Sequence, residues 1–527
     1  MKIIIIGAGI GGLSTYLALR KHLPSNERHE ISIYEAHDVE HYLDLHGGNK
    51  GTTEASELPG ATDDEPTFTP EAIAGAIGIA RNGLEVLLRL DEDQHSESSI
   101  ITQMLTKGHP ASKWKLGSAR GWQLAEARMA SPASTEGGIT SIMISRQEMW
   151  KILLRAVVQV GGEGAIRRAQ VKKVVLPKHG QAARPKVVFE DEFPEEKADF
   201  VVGADGLRSV VRAAMFPKPD PAEEVQTPWS WSRWLLSWFH STPMPTDYIS
   251  PRYEGLVGVA GFVPSSVLTS AGQERGSMSI TFGPNGFFGC GFFSTAPSSL
   301  ASPLTLSTAE SAPEPGSTAG WWSTFAADDP WPYHTRNDHG SRPKPQQDFD
   351  RDTALKDLLA RHKHWKDPSV QAILRYAKDN TEKCLQGVWP TWTTPPLPTW
   401  TKGNVVLMGD AAHALQPSSG QGACQALEDA ETLARFLGHF CARKEGGGND
   451  EYIRRALTKY EQLRMPRVAE IYMRSQRMGK MKKDMGFVSE MLTYAVIKVM
   501  GMMHSSANER LVAYDLPAEV DQALNGR

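Results

Sequence analysis

The chain has 527 residues, and its 57 Lys and Arg against 61 Asp and Glu give a net charge of −4. At roughly 100–200 residues per domain, this length predicts two or three domains. Hydrophobic residues make up 40% and charged residues 22%, the composition of an ordinary globular protein. The lack of a basic excess argues against nucleic acid as a partner, because phosphate-binding surfaces carry one.

The four cysteines predict neither a disulfide framework nor a metal site. Cys290, Cys384, Cys424 and Cys441 form no C-x-x-C pair, and no His/Cys cluster has metal-ligand spacing. We expect small buried thiols in a reducing compartment and predict a cytoplasmic protein.

The N-terminal segment reads as the opening of a parallel α/β sheet. Ile3–Ile6 predicts a buried strand, Gly12–Leu23 a helix, and Glu30–Glu35 a second strand. The apolar run is too short, and breaks into glycines too early, to be a signal peptide. The polar stretch Leu45–Pro70 predicts a long loop.

Further along, the pattern predicts a helix over Ala72–Asp91, a strand at Ile142–Ser145 leading into a helix, and a strand at Ala198–Gly203. From Trp229 to Phe293 the composition becomes aromatic and rich in glycine turns, which indicates a second, β-rich domain. Four tryptophans there suggest an apolar pocket wall or, equally, a domain core: Trp229, Trp231, Trp234 and Trp238.

The last part returns to the first pattern. Residues 294–316 and 326–347 read as surface insertions. A buried strand at Gly403–Gly409 precedes predicted helices over Gly422–Phe440 and Ala456–Gln476.

A final apolar stretch, Met485–Met503, contains Glu490 and Lys498 and falls short of the roughly 18–20 apolar residues that a spanning helix needs. We predict a core helix there, with an interfacial membrane helix as the alternative.

Three glycine-rich or acidic motifs each follow a predicted strand. The first is the G-x-G-x-x-G run Gly7–Gly12, in which Gly7 suits a tight turn, Gly9 a close approach to a pyrophosphate, and Gly12 close helix packing. The helix start then faces the phosphates with its partial positive charge. Glu35, at the end of the next strand, is placed to bind the ribose hydroxyls of an adenosine.

The second motif is the Asp-Gly turn around Asp205, followed by basic residues that include Arg212. The third runs from Gly409-Asp410 through His413 to Gly422, where a helix start offers backbone N–H groups to a negative group. We expect His413 itself to be structural.

The three motifs, in this order and spacing, resemble the class A flavoprotein monooxygenases, the fold of p-hydroxybenzoate hydroxylase and of salicylate-hydroxylase-like enzymes. The resemblance runs from Met1 to about Gln476, apart from the insertions. It implies an α/β protein with a Rossmann-like FAD-binding domain, a β-sheet substrate domain and C-terminal helices. The implied boundaries are 1–215 and 386–447 for the FAD-binding domain, 216–385 for the substrate domain and 448–527 for the helical region.

The resemblance also implies roles for residues. Asp205 falls in a segment that serves both FAD and NAD(P)H, and Asp410 would bond the ribityl chain. The implied cofactor-binding residues are Gly7, Gly9, Gly12, Glu35, Ala76, Arg146, Asp205, Asp410, Pro417, Gly420, Gly422 and Ala423. No catalytic residue is assigned.

The activity implied is that of an FAD-dependent monooxygenase that consumes NADH or NADPH and O2. Reduced flavin would add O2 at C4a, and the resulting hydroperoxide would hydroxylate or epoxidise a small molecule. Family members often carry an aromatic-Arg pair where this chain has Val259-Ala260, which argues against a simple aromatic acid. We therefore predict an apolar, polycyclic substrate of the secondary-metabolite type.

Other activities remain open from the sequence. A Baeyer–Villiger oxygenase or an FAD oxidase could use the same fold, and a non-catalytic flavin-binding scaffold is a remote alternative. A flavin-dependent halogenase is disfavoured, because Trp229-Ser230-Trp231-Ser232-Arg233-Trp234 departs from the W-x-W-x-I-P signature. The sequence does not specify the oligomeric state.

Overall fold

We analysed the protein as a computed structural model. It describes residues 1–39, 75–91, 98–128, 141–177, 184–190, 193–217, 247–296, 313–334, 349–443, 448–480, 485–502 and 511–526. The predicted loop Leu45–Pro70 and the four tryptophans between Trp229 and Trp238 lie outside these residues, as do most of the two predicted insertions.

The strands in the described residues are β1 (Lys2–Ile6), β2 (Glu30–Glu35), β3 (Ala76–Ala80), β4 (His109–Pro110), β5 (Lys113–Ser118), β6 (Gln123–Arg128), β7 (Ser141–Ser145), β8 (Ile166–Arg168), β9 (Val171–Val175), β10 (Lys186–Phe189), β11 (Glu196–Lys197), β12 (Phe200–Gly203), β13 (Arg252–Pro264), β14 (Ser277–Gly283), β15 (Gly286–Phe292), β16 (Thr318–Ala326), β17 (Leu385–Thr393), β18 (Thr401–Lys402) and β19 (Val405–Leu407).

The helices with more than one described turn are α1 (Ile10–His22), α2 (Arg81–Leu90), α3 (Ile100–Lys107), α4 (Arg146–Gly161), α5 (Val210–Met215), α6 (Ser265–Ser270), α7 (Arg351–Arg361), α8 (Pro368–Asp379), α9 (Thr381–Cys384), α10 (Asp410–His413), α11 (Gly422–Arg443), α12 (Asn449–Lys480), α13 (Phe487–Met502) and α14 (Leu516–Leu524).

A six-stranded sheet in the order β18-β19-β12-β1-β2-β8 forms the first layer. All its pairs are parallel except β18 with β19. Its central strands are continuous apolar runs, as expected for a sheet covered on both faces. Ile3, Ile4 and Ile5 are fully buried, and α1 packs against α11 on this layer. The predicted α/β fold with a Rossmann-like domain is confirmed.

A seven-stranded sheet in the order β17-β13-β16-β15-β14-β5-β6 forms the second unit. It is antiparallel apart from the parallel pair β5 and β14. Strands β5 and β6 come from residues 113–128, within the range 1–215 predicted for the first part of the FAD-binding domain. The sheet therefore contains strands from both sides of the predicted boundary at residue 215.

The predicted helix over Ala72–Asp91 is wrong in its first part. Residues Ala76–Ala80 form the strand β3, and the helix α2 begins only at Arg81. The segment AIGIA suits either state, and its pairing with β7 in the three-stranded sheet β3-β7-β4 decides in favour of the strand.

The predicted apolar C-terminal helix is α13, which packs on β6. One side carries the buried Tyr494 and Ile497, and the other exposes large apolar side chains such as Val488, which is 70% exposed. The expectation of a core helix therefore holds for one face only. Among the helices that the structure describes, none is long and apolar enough to cross a membrane.

Candidate functional site

The three motifs lie along one edge of the parallel sheet. Strands β1, β2, β12 and β19 run in the same direction, so their carboxyl ends share this edge. Gly7 follows β1, Glu35 ends β2, Asp205 lies just past β12, and Asp410 lies just past β19. Ligands of open α/β sheets bind in the crevice outside these carboxyl ends. The edge is therefore the candidate site.

The glycine loop after β1 depends on missing side chains. Gly7 has φ +101, and a Cβ built on it would lie 2.5 Å from the carbonyl oxygen of Ala204. A Cβ on Gly12 would lie 1.9 Å from the carbonyl oxygen of Gly7. Gly9 differs, because no atom lies within 4 Å of a Cβ built on it. The loop is thus tightly packed at Gly7 and Gly12 and open at Gly9.

Two side chains hold the backbone of Ala8, in the middle of this loop. Its N–H donates to Oε2 of Glu35 over 2.7 Å, and its carbonyl accepts from Nε1 of Trp150 over 2.8 Å. The other carboxylate oxygen of Glu35 accepts from the N–H of His37. Glu35 therefore supports the glycine loop directly, in addition to the ribose contact that the resemblance implies for it.

The second motif is a half-buried polar turn around Asp205. Oδ2 of Asp205 accepts from the N–H groups of Val210 and Val211 over 2.7 and 3.2 Å. Oδ1 is buried and has no hydrogen-bond partner among the described residues. Burial raises the pKa of Asp205 above its ordinary value, although its hydrogen bonds act in the opposite direction. Arg212, fully buried, donates to the carbonyl of Ala411 over 2.7 Å and so joins the second motif to the third.

The third motif presents an exposed acid in front of a buried histidine. Asp410 opens α10 with its side chain exposed, whereas His413 is only 7% exposed. Nε2 of His413 lies 2.6 Å from Oδ2 of Asp429, and the same oxygen accepts the N–H of Gly409 over 3.0 Å. His413 is thus held in a structural position, as expected.

The segment that follows leads to the start of α11. Pro417 and Gly420 are exposed, and Gly420 has φ +59, a conformation that favours glycine. A Cβ on Gly420 or Gly422 would meet nothing within 4 Å. The first turn of α11, which includes Ala423, contains no acidic residue. The start of α11 is therefore unobstructed at Gly420 and Gly422 and has no negative side chain in its first turn.

Ala76 and Arg146 lie on neighbouring strand ends of the three-stranded sheet. Ala76 pairs with Ser145, and the N–H of Arg146 donates to the carbonyl of Gly75 over 2.9 Å. Both residues are exposed. The structure therefore brings these two predicted residues together.

A buried ion cluster behind the third motif was not identified from the sequence. Its members are fully or almost fully buried and come from α2, α11 and α12: Asn82, Gln425, Glu428, Asp429, Arg464 and Arg467. Arg464 bonds Glu428 and donates from Nε to Oδ1 of Asp429 over 2.8 Å. Arg467 donates to both oxygens of Glu428 over 2.6 and 2.7 Å.

The cluster also contacts Gln421, in the segment that precedes α11. Nδ2 of Asn82 lies 2.6 Å from Oε1 of Glu428 and 2.9 Å from Oε1 of Gln421. Burial alone would raise the pKa of Asp429, but His413 and Arg464 outweigh it and lower that pKa to about 2. Burial opposes ionisation of Glu428 in the same way, and Arg464 with Arg467 reverses the effect and lowers its pKa. Both carboxylates are therefore ionised at neutral pH.

One apolar face of the seven-stranded sheet lies toward the three-stranded sheet. Residues paired across antiparallel strands point to the same side, which places Ala260, Trp322 and Gly289 on this face. Met278 and Trp322 pack against Met143 of β7. We call this surface the apolar face and define it by Gly258, Ala260, Phe262, Met278, Ile280, Gly289 and Trp322.

The apolar face has only small side chains at Gly258 and Ala260. Both are half-buried, and a Cβ on Gly258 would meet only a backbone oxygen and a threonine hydroxyl between 3.7 and 3.8 Å away. The neighbouring Val259, in contrast, points into the core on the other side of the sheet and is fully buried. At the position where the resemblance implied an arginine, the chain therefore has a small apolar residue, half-buried on the same face as Trp322.

These residues fit FAD on three structural observations. The loop at Gly9 leaves room for a phosphate, and α1 begins there without a side-chain cap or an acidic residue in its first turn. The side chain of Asp410 is exposed, and Oδ1 of Asp205 has no hydrogen-bond partner among the described residues. The start of α11 is open for the flavin ring.

Comparisons with known proteins agree with this fit. A family model described as an FAD binding domain matches residues 391–475. The chain is 23% identical over 528 residues to a salicylate hydroxylase from Pseudomonas putida, covering 99% of this chain and 94% of that one. It is 26% identical over 352 residues to an aurachin C monooxygenase/isomerase from Stigmatella aurantiaca, covering 66% and 67%.

The fold matches solved structures over the whole chain. Klebsiella pneumoniae HpxO, crystallised with FAD and uric acid, superposes with a TM-score of 0.60 at 18% identity, covering 99% of this chain and 97% of that one. The predicted resemblance to class A FAD-dependent monooxygenases, and FAD as the cofactor, are confirmed.

Proposed function

We propose that the chain is a flavin-dependent monooxygenase of class A that uses NAD(P)H and O2 to hydroxylate or epoxidise a small, apolar, polycyclic molecule. Bound FAD would supply the redox chemistry, by accepting a hydride from NAD(P)H and activating O2. The observation that carries the choice of substrate is the apolar face, where Ala260 takes the place of a carboxylate-binding arginine and Trp322 offers an aromatic surface.

We assign the residues at the sheet edge to cofactor binding. Gly7, Gly9 and Gly12 would admit the pyrophosphate, and Glu35 would position both the loop and the ribose. Asp410 would bond the ribityl chain. Ala76 and Arg146 would contact FAD from the three-stranded sheet, and Asp205 would serve FAD and NAD(P)H.

The Pro417–Ala423 segment would lie along the flavin ring. Reduced flavin carries negative charge near N1 and C2=O, and the N–H groups at the start of α11 would stabilise that charge. A charge at a helix terminus gains about 0.3–2 kcal/mol, so this contribution tunes the cofactor rather than providing the whole rate enhancement.

The apolar face would orient the substrate and exclude water from the reacting atoms. Its members Gly258, Ala260, Phe262 and Trp322 are uncharged, so burying an apolar ring against them requires no desolvation of an ion. At about 25 cal/mol per Å² of apolar surface, such burial favours hydrophobic rings over small charged acids. We propose a small-molecule substrate and a cytoplasmic location; both remain predictions.

The test is a screen of NADPH oxidation by the FAD-loaded protein with two matched panels of candidate substrates. One panel contains neutral polycyclic phenols and heterocycles, and the other contains single-ring aromatic acids. The proposal expects stimulation by members of the first panel, with product masses that gain one oxygen atom. Stimulation confined to the aromatic acids would contradict the assigned substrate class.

A further inference from the structure

A carboxylate at the start of β13 lies between the substrate sheet and the segment proposed to line the flavin. Oε1 of Glu254 accepts from the hydroxyl of Thr393 at the end of β17 over 2.6 Å. Oε2 accepts from Nε2 of Gln416 over 2.9 Å and from Nε2 of Gln476 on α12 over 3.0 Å. One side chain therefore joins the seven-stranded sheet, the segment before Pro417 and the long C-terminal helix.

A bulge in β13 sets the direction of the Glu254 side chain. Tyr253 pairs with Trp392 and Val257 with Pro390, so β13 uses two more residues than β17 across the same interval. Gly255, within this bulge, has φ +69, which favours glycine. Bulges bend a strand and redirect a side chain, and they are frequent beside active sites. Without the bulge, Glu254 would alternate regularly with its neighbours in the sheet.

The contact continues into the flavin segment through hydrogen bonds. The carbonyl of Gln416 accepts from the N–H of Ser419 over 3.0 Å and from its hydroxyl over 2.9 Å. The same hydroxyl accepts from the N–H of Gln421 over 3.2 Å. Gln421 in turn accepts from Asn82 of the buried ion cluster. Glu254 is thus the sheet-side end of a chain of bonds that runs through the whole 416–421 segment.

From this arrangement we propose that Glu254 is a positioning residue that holds the Gln416–Gln421 segment in register with the substrate sheet. The inference rests on the proposed placement of FAD along Pro417–Ala423. Three neutral donors surround the carboxylate, and hydrogen bonds to an ionised acceptor are shorter and stronger than those between neutral groups. Loss of the carboxylate leaves the buried amide of Gln416, which is 3% exposed, without this partner.

A reciprocal exchange tests the contact. Gln416→Glu alone places two carboxylates against each other and is expected to raise the FAD dissociation constant at least tenfold at pH 7.5. Adding Glu254→Gln restores the hydrogen bond in the opposite direction, because the amide at position 254 can then donate to the carboxylate at position 416. The double variant is expected to bind FAD within threefold of wild type and to recover its visible flavin spectrum. Flavin fluorescence titration of apoprotein and absorbance spectroscopy provide the two measurements.

The control is Glu274→Gln, which alters a 53% exposed carboxylate of the same domain, paired with Lys113 and Lys115, and is expected to bind FAD as wild type does. Thermal unfolding of each apoprotein separates misfolding from a local effect. If Gln416→Glu fails to fold, Thr393→Val provides a second variant, because it removes the hydrogen bond from Thr393 to Glu254. Wild-type affinity in both Gln416→Glu and Thr393→Val, or no recovery in the folded double variant, would overturn the proposal. Wild-type protein that binds FAD but oxidises no substrate would count against the proposed function and not against this role.

Discussion

Nε2 of His413 lies 2.6 Å from Oδ2 of Asp429, so the third motif is bonded directly to the helix behind it. Because Asp429 also accepts the N–H of Gly409 and bonds Arg464, one carboxylate fixes both ends of the turn that presents Asp410. The exposed acid that we assign to the cofactor therefore depends on a buried one that never contacts it.

Acid is expected to weaken this arrangement. The pKa of Asp429 is lowered to about 2 from an ordinary value of 3.8. A carboxyl with a depressed folded-state pKa stabilises the fold above its unfolded pKa, and this contribution is lost as pH falls from about 4 to about 2. We expect Asp429→Asn to be less stable than wild type at pH 6 and the gap in melting temperature to shrink toward pH 2. A gap that is constant across this range would contradict the assigned ionisation.

We expect disruption of the buried ion cluster to lower the free energy of unfolding more than disruption of a surface ion pair on the same helix. Arg464→Met leaves Glu428 and Asp429 buried with one fewer cation, and the expected loss in the free energy of unfolding is about 3–5 kcal/mol. Arg454, which is paired with Glu451 at the surface, is the matched control, and Arg454→Met should cost about 0–1 kcal/mol. Urea unfolding of the two apoproteins measures both values, and equal losses would show that the cluster is not a stabilising core.

The glycine loop allows a separation of folding from binding. Gly12→Ala forces a Cβ to within 1.9 Å of the Gly7 carbonyl, so we expect strong destabilisation of the apoprotein. Gly9→Ala meets nothing within 4 Å and should leave the unfolding free energy within about 1 kcal/mol of wild type. It should nevertheless raise the FAD dissociation constant at least tenfold, because the methyl group occupies the proposed pyrophosphate position. Full FAD affinity in Gly9→Ala would place the pyrophosphate elsewhere.

Asp410→Ala is expected to lose much of its FAD on purification while keeping the wild-type melting temperature as apoprotein. The side chain is exposed and holds no other described element, so only the ligand loses a partner. Asp379→Ala, at another exposed acid near the end of α8, is the control and should remain fully loaded. The ratio of absorbance at 450 nm to that at 280 nm reports the loading, and equal loading of both variants would remove Asp410 from the cofactor site.

We expect the substrate specificity to change when a cation is introduced on the apolar face. Ala260→Arg places a cation beside Trp322, and we expect oxidation of neutral polycyclic substrates to fall at least tenfold in kcat/KM. Oxidation of single-ring aromatic acids should rise, since a carboxylate gains a partner. Ser266→Arg, exposed on α6, controls for the added charge. Unchanged selectivity in Ala260→Arg would mean that the substrate binds away from this face.

The sequence predicted those parts of the site that rest on local chain geometry. Gly7, Gly9 and Gly12 were identified because a strand, a turn and a helix follow one another within twelve residues. The class of fold followed from the repetition of that pattern at Asp205 and Asp410. The boundary between β3 and α2 was missed, because pairing with β7 decides the state of AIGIA and lies more than 60 residues away.

The supporting residues could not be predicted in the same way. Asn82 meets Glu428 across 346 residues of sequence, and Arg464 meets Asp429 across 35. Charged residues within helices such as α11 and α12 look like a solvated face until the packing of the two helices shows them to be buried. Glu254 was equally hidden, since its direction depends on a strand bulge.

The most direct test of the central claim is the mass of the products formed under 18O2 by the FAD-loaded protein with NADPH and the panel of neutral polycyclic compounds. The account predicts products that are heavier by one 18O atom, formed only when NADPH is present. Consumption of NADPH that yields hydrogen peroxide with every compound, or products that carry oxygen from water instead of from 18O2, would contradict it.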